Sequence, residues 1–200
     1  MDTYTYVIGK NCYVNLTNRC TNRCTFCVRN DKQTFEGYSL WLKEGEPNAQ
    51  QVIDGIGDPK KYDEIVFCGY GEPTYRLDVM LAVCDWVHER DGKTRLNTNG
   101  HGSIINQRDI APELAGRLDG INISLNASDS ARYQKLCRPI YPDMAFDSML
   151  FFARACKAQG LNCWFSVVDC IGEEEIAACR AVAERTGIPL RVRPTIELKP

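Results

Sequence analysis

Asn15-Leu-Thr-Asn-Arg-Cys20-Thr-Asn-Arg-Cys24-Thr-Phe-Cys27-Val-Arg29 is the stretch from which the rest of the 200-residue chain is read. Its cysteines stand at the spacing Cys-x3-Cys-x2-Cys. Thiolate is a soft ligand that zinc and iron–sulfur clusters both accept. The two ask different things of a protein. Structural zinc takes four protein ligands in closed tetrahedral geometry, which here means borrowing a residue such as Cys12. A four-iron cubane held by three cysteines keeps one iron without a protein ligand, open to a substrate or cofactor. The lack of a fourth cysteine in the run favours the cluster.

Composition bounds what surrounds this loop. The length suits one domain, residues 1–200, with a sizeable core. A hydrophobic share of 44% and a charged share of 25% are ordinary for a globular chain. A net charge of −2 argues against a strong nonspecific grip on nucleic acid or anionic membrane. There is no apolar run long enough for a membrane span, so no membrane partner is expected. The N-terminus lacks the basic and apolar regions of a signal peptide, and a cytoplasmic location is expected. Eleven cysteines, an odd number, then read as a reducing compartment and a metal rather than a disulfide framework.

Taken in order, Cys12 to Thr17 reads as a first strand leading directly into the cysteine loop. Residues 28–47 show no clean period but hold Phe35, Tyr38 and Trp41. They read either as an aromatic lid or substrate-facing loop, or as a helical excursion packed on the fold. A helix follows from about Asn48 to Ile56, ending near Gly57. Tyr62 to Cys68 is a second strand running into Gly69-Tyr70-Gly71-Glu72-Pro73-Thr74. Leu77 to Glu89 is a helix, with Leu77, Met80, Leu81, Cys84 and Val87 at helical spacing. His88 beside that face reads as packed or surface-exposed, not as a ligand. Lys93 to Asn97 is a third strand ending in Asn97-Thr98-Asn99-Gly100. A short helix lies near Asp109 to Leu114, a fourth strand at Gly120 to Leu125, and a helix at about Phe146 to Ala158. Asn162 to Asp169 is a fifth strand, Glu173 to Thr186 a helix, and Leu190 to Arg193 a sixth strand. Strands alternating with helices mean an α/β fold with a parallel sheet. Periodicity alone leaves open whether that sheet is doubly wound or a partial barrel.

The cysteine spacing, with Phe26 just before the last thiol, resembles the signature loop of the radical S-adenosylmethionine (radical SAM) superfamily. The resemblance implies a partial TIM-like (β/α)6 barrel, the radical SAM core, from Cys12 to about Pro194. It implies a [4Fe–4S] cluster on Cys20, Cys24 and Cys27, whose unique iron is chelated by the amino and carboxylate groups of S-adenosylmethionine (SAM). Tyr70-Gly71-Glu72 resembles the family's Gly-Gly-Glu motif for the SAM amino group, with Tyr70 in place of the first glycine. Asn97 and Asn99 are implied to meet other polar groups of SAM. Ser124 and Asn126 match the position of the ribose-binding motif, and Asp169 to Gly172 that of the adenine-supporting segment. The implied reaction takes an electron from a flavodoxin or ferredoxin-type reductant and cleaves SAM. The resulting 5′-deoxyadenosyl radical abstracts hydrogen from a substrate. Asn15, Asn22 and Arg23, near the loop in sequence, are candidates for tuning the cluster.

The later cysteines need separate readings. Cys137, in the loop after the fourth strand, and Cys170, at the end of the fifth, are candidate hydrogen-atom donors to a product radical. The plainer reading of each is a small buried residue. Cys156, Cys163, Cys170 and Cys179 do not suit an auxiliary cluster. Two fall on helices, and the other two at opposite ends of a strand whose ends lie ~20 Å apart. Asn15 to Cys20 and Cys68 to Thr74 most resemble the compact TatD-associated radical SAM proteins, which hints at a nucleotide-related substrate. The alternatives are a glycyl-radical-type activase acting on a partner protein, and a relative of the 7-carboxy-7-deazaguanine synthases. Against the latter, Val28 stands where those typically carry a hydroxyl residue. A non-enzymatic zinc or iron–sulfur module would have no need of Tyr70-Gly71-Glu72 or of Asn97 to Gly100 at strand ends.

Overall fold

Six short strands pair side by side in one direction, as the alternation of strands and helices requires. The computed structural model describes residues 2–30 and 34–195. The elements are β1 (Thr5–Ile8), β2 (Asn11–Val14), β3 (Thr34–Phe35), β4 (Tyr38–Ser39), α1 (Ala49–Ile56), β5 (Ile65–Phe67), α2 (Leu77–His88), β6 (Thr94–Thr98), α3 (Gly102–Asn106), α4 (Ala111–Leu114), β7 (Gly120–Ser124), α5 (Ser130–Cys137), α6 (Ala145–Ala158), β8 (Cys163–Val168), α7 (Glu173–Thr186) and β9 (Leu190–Arg193). The main sheet runs β1-β2-β5-β6-β7-β8-β9. β1 is antiparallel to β2, and every later pairing is parallel. The sheet stays open between β1 and β9, giving the partial barrel.

Strand alternation separates two faces. Cys12, Val14, Ile65, Phe67, Leu96, Ile121, Ile123, Phe165 and Val167 enter the core shared with the helices. Between them stand Val66, Asn97, Asn122, Trp164 and Ser166, on the inner face. The register aligns these residues across strands: Asn97 with Asn122, Asn122 with Trp164, Ser124 with Ser166, and Ser166 with Arg191.

Local chemistry explains the helix ends. Asn48 and Gln51 form a reciprocal capping box on α1. Asp129 caps α5 by accepting from the Arg132 amide. Glu173, Glu174 and Glu175 sit in the first turn of α7 and Arg185 in its last, each complementing the helix dipole.

Three features depart from expectation. β1 is an additional edge strand, turned onto β2 through Gly9 at φ 59°. The stretch after the fourth strand is helix α5, so Cys137 ends a helix rather than lying in a loop. The segment from 28 to 47 is no helical excursion. It holds a 3-10 turn at Val28–Asn30 and the hairpin β3–β4. Leu40 packs with Tyr6 and Tyr70 in a small second core, and the Tyr38 ring lies 5.5 Å from that of Tyr6. Trp41 alone among the named aromatics stays largely open, at 45% exposure. Residues 31–33 of this segment lie outside the described residues.

Candidate metal centre and its surroundings

β2 delivers the chain into the cysteine loop at the C-terminal edge of the parallel strands, where α/β folds assemble their sites. Cys20, Cys24 and Cys27 are free and half-buried. Burial pushes the Cys20 thiol up to about 12, and neighbouring Glu72 adds to the rise; the Asn22 amide and Arg29 oppose it. Cys24 is raised first by its hydrogen bond with Cys137 and then by burial. Burial also raises Cys27, against the Arg29 amide and guanidinium. Arg29 thus acts on all three thiols. Its guanidinium is held in place by the carbonyls of Asn18 (3.2 Å), Tyr70 (3.2 Å) and Asn22 (2.9 Å). Three soft donors with a guanidinium in electrostatic reach suit an iron–sulfur cluster, whose thiolates carry negative charge. Structural zinc would need a fourth ligand, and Cys12 does not stand beside the loop: it lies on the helix side of β2, buried in the core.

The loop is clamped from β5 by Gly71 and Glu72. A Cβ on Gly71 would come within 2.3 Å of the Thr17 carbonyl and 2.6 Å of that of Arg19, so only glycine fits against the loop backbone. The Glu72 amide donates to the Arg19 carbonyl at 2.8 Å. The Glu72 carboxylate, 2% exposed, accepts from Thr74 Oγ1 (2.8 Å), the Thr74 amide (3.3 Å), Thr98 Oγ1 (2.7 Å) and the Asn99 amide (2.8 Å). Burial raises its pKa, and these four donors counter the rise. Glu72 therefore ties the β5 and β6 ends together beside the thiols.

A buried polar network supports the loop from below. Asn99 Nδ2 donates to Thr21 Oγ1 at 2.8 Å and approaches Cys20 Sγ at 3.7 Å. Thr21 Oγ1 lies 2.8 Å from His101 Nδ1, and His101 Nε2 lies 3.0 Å from the Ala145 carbonyl. A carbonyl only accepts, so Nε2 carries the proton and Nδ1 accepts from Thr21. Burial holds His101 down to about 4, the Ala145 carbonyl opposing. Asn22 Nδ2 donates to Tyr133 Oη at 2.9 Å, completing the support.

The expected residues divide accordingly. Ser124 stands on the inner face, and Asn126 follows at φ 59°, 3% exposed, with its Oδ1 unpartnered. The Tyr70 side chain packs in the second core, leaving its backbone at the site. Asn99 is absorbed in loop support. Asn97 accepts from Arg95 Nη1 at 2.7 Å and hydrogen-bonds Cys68, away from the thiols. Asn15 donates to the carbonyls of Leu40 (2.7 Å) and Thr3 (3.2 Å), so it anchors the N-terminal segment and not the thiols. The Arg23 amide donates to the Cys137 carbonyl, docking the loop on α5. Cys137 is fully buried and receives Asn126 Nδ2 at 3.4 Å. Cys170 is exposed in the turn at Asp169–Ile171 that follows β8. Cys156 and Cys179 are buried on α6 and α7, whereas Cys170 is exposed. His88 is a packed residue, 3.0 Å from Asp119 and 3.2 Å from Thr94. Sequence reading missed Arg29, Thr98, His101 and Tyr133. For His101 a signal existed: it directly follows Asn99-Gly100 at a strand end.

The family model described as Radical SAM superfamily matches residues 14–173. The chain is 28% identical over 127 residues to the dual-specificity RNA methyltransferase RlmN of Phenylobacterium zucineum (strain HLK1), covering 58% of this chain and 32% of that protein. It is 26% identical over 152 residues to GTP 3′,8-cyclase of Paenarthrobacter nicotinovorans, covering 74% and 39% respectively. It thus spans about a third of the length of the curated relatives it matches. Among solved structures, native anSMEcpe with bound AdoMet aligns at a TM-score of 0.69 and 14% identity, over 92% of this chain and 51% of that one. At that identity the likeness speaks for the fold.

Proposed function

Because the chain belongs to the radical SAM superfamily, a family of enzymes that use a [4Fe–4S] cluster and SAM, we propose that Cys20, Cys24 and Cys27 hold that cluster. In this reading the enzyme abstracts hydrogen from a nucleotide-related substrate on the inner face of the sheet. The observation that carries the reading is the three-thiol loop clamped beside buried Glu72, at the C-terminal edge of the parallel strands. When bound, the cluster supplies the electron that cleaves SAM to methionine and a 5′-deoxyadenosyl radical.

The chain's own residues do the holding and orienting. Asn22, Asn99, Cys137 and Arg29 contact or face the thiols and set their polarity. Glu72 Oε2, with one donor from Asn99, keeps capacity for the SAM ammonium, aided by the Tyr70–Gly71 backbone. Ser124 and the unpartnered Asn126 Oδ1 suit the ribose hydroxyls. Of the two candidate hydrogen donors, Cys170 at the exposed strand edge is better placed for a substrate than Cys137, which lies behind Cys24. A flavodoxin or ferredoxin-type protein is the reductant. The nucleotide-related substrate rests on the likeness of Asn15 to Cys20 and Cys68 to Thr74 to the TatD-associated group.

The test is anaerobic iron–sulfur reconstitution, then dithionite and SAM, with 5′-deoxyadenosine assayed. A brown protein with about four irons per chain that forms 5′-deoxyadenosine is expected, and Cys24→Ala should drop both iron and product to background. A colourless protein holding zinc and leaving SAM intact would overturn the reading.

A further inference from the structure

The inner face of β7, β8 and β9 carries charge and unpartnered polar atoms that the cofactor reading does not use. Trp164 lies on this face, since Cys163 and Phe165 to either side of it belong to the helix-side core. Its ring fills the space where a Cβ on Gly120 would stand, 3.0 Å away. The Arg191 guanidinium stacks on that ring, 3.8 Å from the centroid. Arg193, two residues on along β9, therefore shares the face, and its charge reaches Cys68 across the sheet. Arg95 is already committed, to Glu64 and Asn97 at 2.7 Å each. Among the described residues neither Arg191 nor Arg193 has a carboxylate partner.

On the same face are two buried groups that, among the described residues, have no hydrogen-bond partner. Ser166 Oγ, fully buried, is in register with Arg191. Asn122 Oδ1, on a residue 5% exposed, is in register with Trp164. An orphaned buried polar atom is destabilising, and folded proteins retain few. Ser166 offers a donor, Asn122 needs one, and two guanidinia supply planar N–H forks suited to oxyanions.

We propose that Arg191, Arg193, Ser166 and Asn122 form a binding site for the anionic end of the substrate, a phosphate or carboxylate adjoining a hydroxyl or N–H that donates to Asn122. This rests on the reading above only in treating the inner face as the substrate side. Arg191, fixed by Trp164, is preorganised to take the oxyanion, and Arg193 at the open rim draws it in from solvent.

The experiment uses reconstituted protein with SAM bound, titrated calorimetrically with inorganic pyrophosphate and, separately, malonate. Saturable binding of either is expected, and the tighter of the two identifies the oxyanion class. Arg191→Gln and Arg193→Gln should each weaken it about tenfold, equivalent to about 1.4 kcal/mol. Iron content and SAM affinity should hold. Arg154→Gln, an exposed change on α6, should leave anion binding unchanged. The proposal is overturned if neither anion binds, if Arg154→Gln weakens binding equally, or if SAM affinity falls in step, since the arginines would then serve SAM. Formation of 5′-deoxyadenosine without anion binding sinks this proposal alone. Failure to assemble a cluster or cleave SAM sinks the earlier reading instead.

Discussion

The two halves of the inner sheet edge are finished to different degrees. Around the cysteine loop nearly every buried polar group has found a partner within the chain. Glu72 has four donors, Thr21 joins Asn99 to His101, and both His101 nitrogens are engaged; the exceptions are Asn22 Oδ1 beside the thiols, Asn15 Oδ1 at the start of the loop and Asn126 Oδ1 beside Cys137. Across the sheet, Asn122 and Ser166 keep orphaned atoms, and among the described residues Arg191 and Arg193 have no acid partner. On the cluster reading proposed above, the first region has to hold a fixed shape before any cofactor arrives, because cluster ligands must be prepositioned. The second, on the anion-site proposal above, is complementary to something the chain does not supply.

The largest effect is expected at Glu72. Glu72→Ala orphans the Thr74 and Asn99 amides together and should cost about 4 kcal/mol in urea unfolding of the metal-free protein. Glu72→Gln, which keeps an acceptor, should cost about half as much. A loss below 1 kcal/mol for the alanine variant would mean the clamp is not structural.

His101 should impose a pH dependence of the next size. It holds to about 4 in the folded chain against an ordinary 6.5. Between those values the unfolded chain binds the extra proton, so stability is full above pH 6.5 and falls as pH drops toward 4, by up to about 3 kcal/mol. Urea midpoints at pH 7.5, 6 and 5 should show this fall, and His101→Gln should flatten it. An unchanged slope in the variant would remove His101 from the network's energetics.

Gly71→Ala forces a Cβ onto loop carbonyls and should cost about 2 kcal/mol. Reconstitution should then yield fewer irons per chain; full iron loading would show that the loop yields without harm. The smallest effect has the opposite sign. Ser166→Ala removes an orphaned hydroxyl and should stabilise the ligand-free protein by up to about 1 kcal/mol. Destabilisation instead would reveal a partner for Ser166 and erase the contrast between the halves.

Much of this architecture was legible along the chain. The expected strands fall within a few residues of those observed, because buried parallel strands are continuous apolar runs bounded by polar or glycine-rich turns. β1 escaped because an edge strand of mixed polarity carries no such signal. Cys20, Cys24 and Cys27 were readable as a candidate set because all three lie in one short stretch of sequence. The roles of Asn97 and Asn99 were not, since each depends on which way its strand faces: one toward Arg95 and Cys68, the other under the cysteine loop.

Residue order alone settled the alternation of strands and helices, the soft-donor loop at the end of the first parallel strand and the glycine-acid pair after the second. Those are local properties of spacing, side-chain chemistry and turn preference. Tertiary structure decided that Glu72 is a clamp, that Thr21 and His101 meet across a sequence separation of 80, and that Arg191, Ser166 and Asn122 share one face. Hydrogen bonds between distant residues depend on strand register and on the direction each side chain leaves the sheet, and neither is written in a single stretch of sequence.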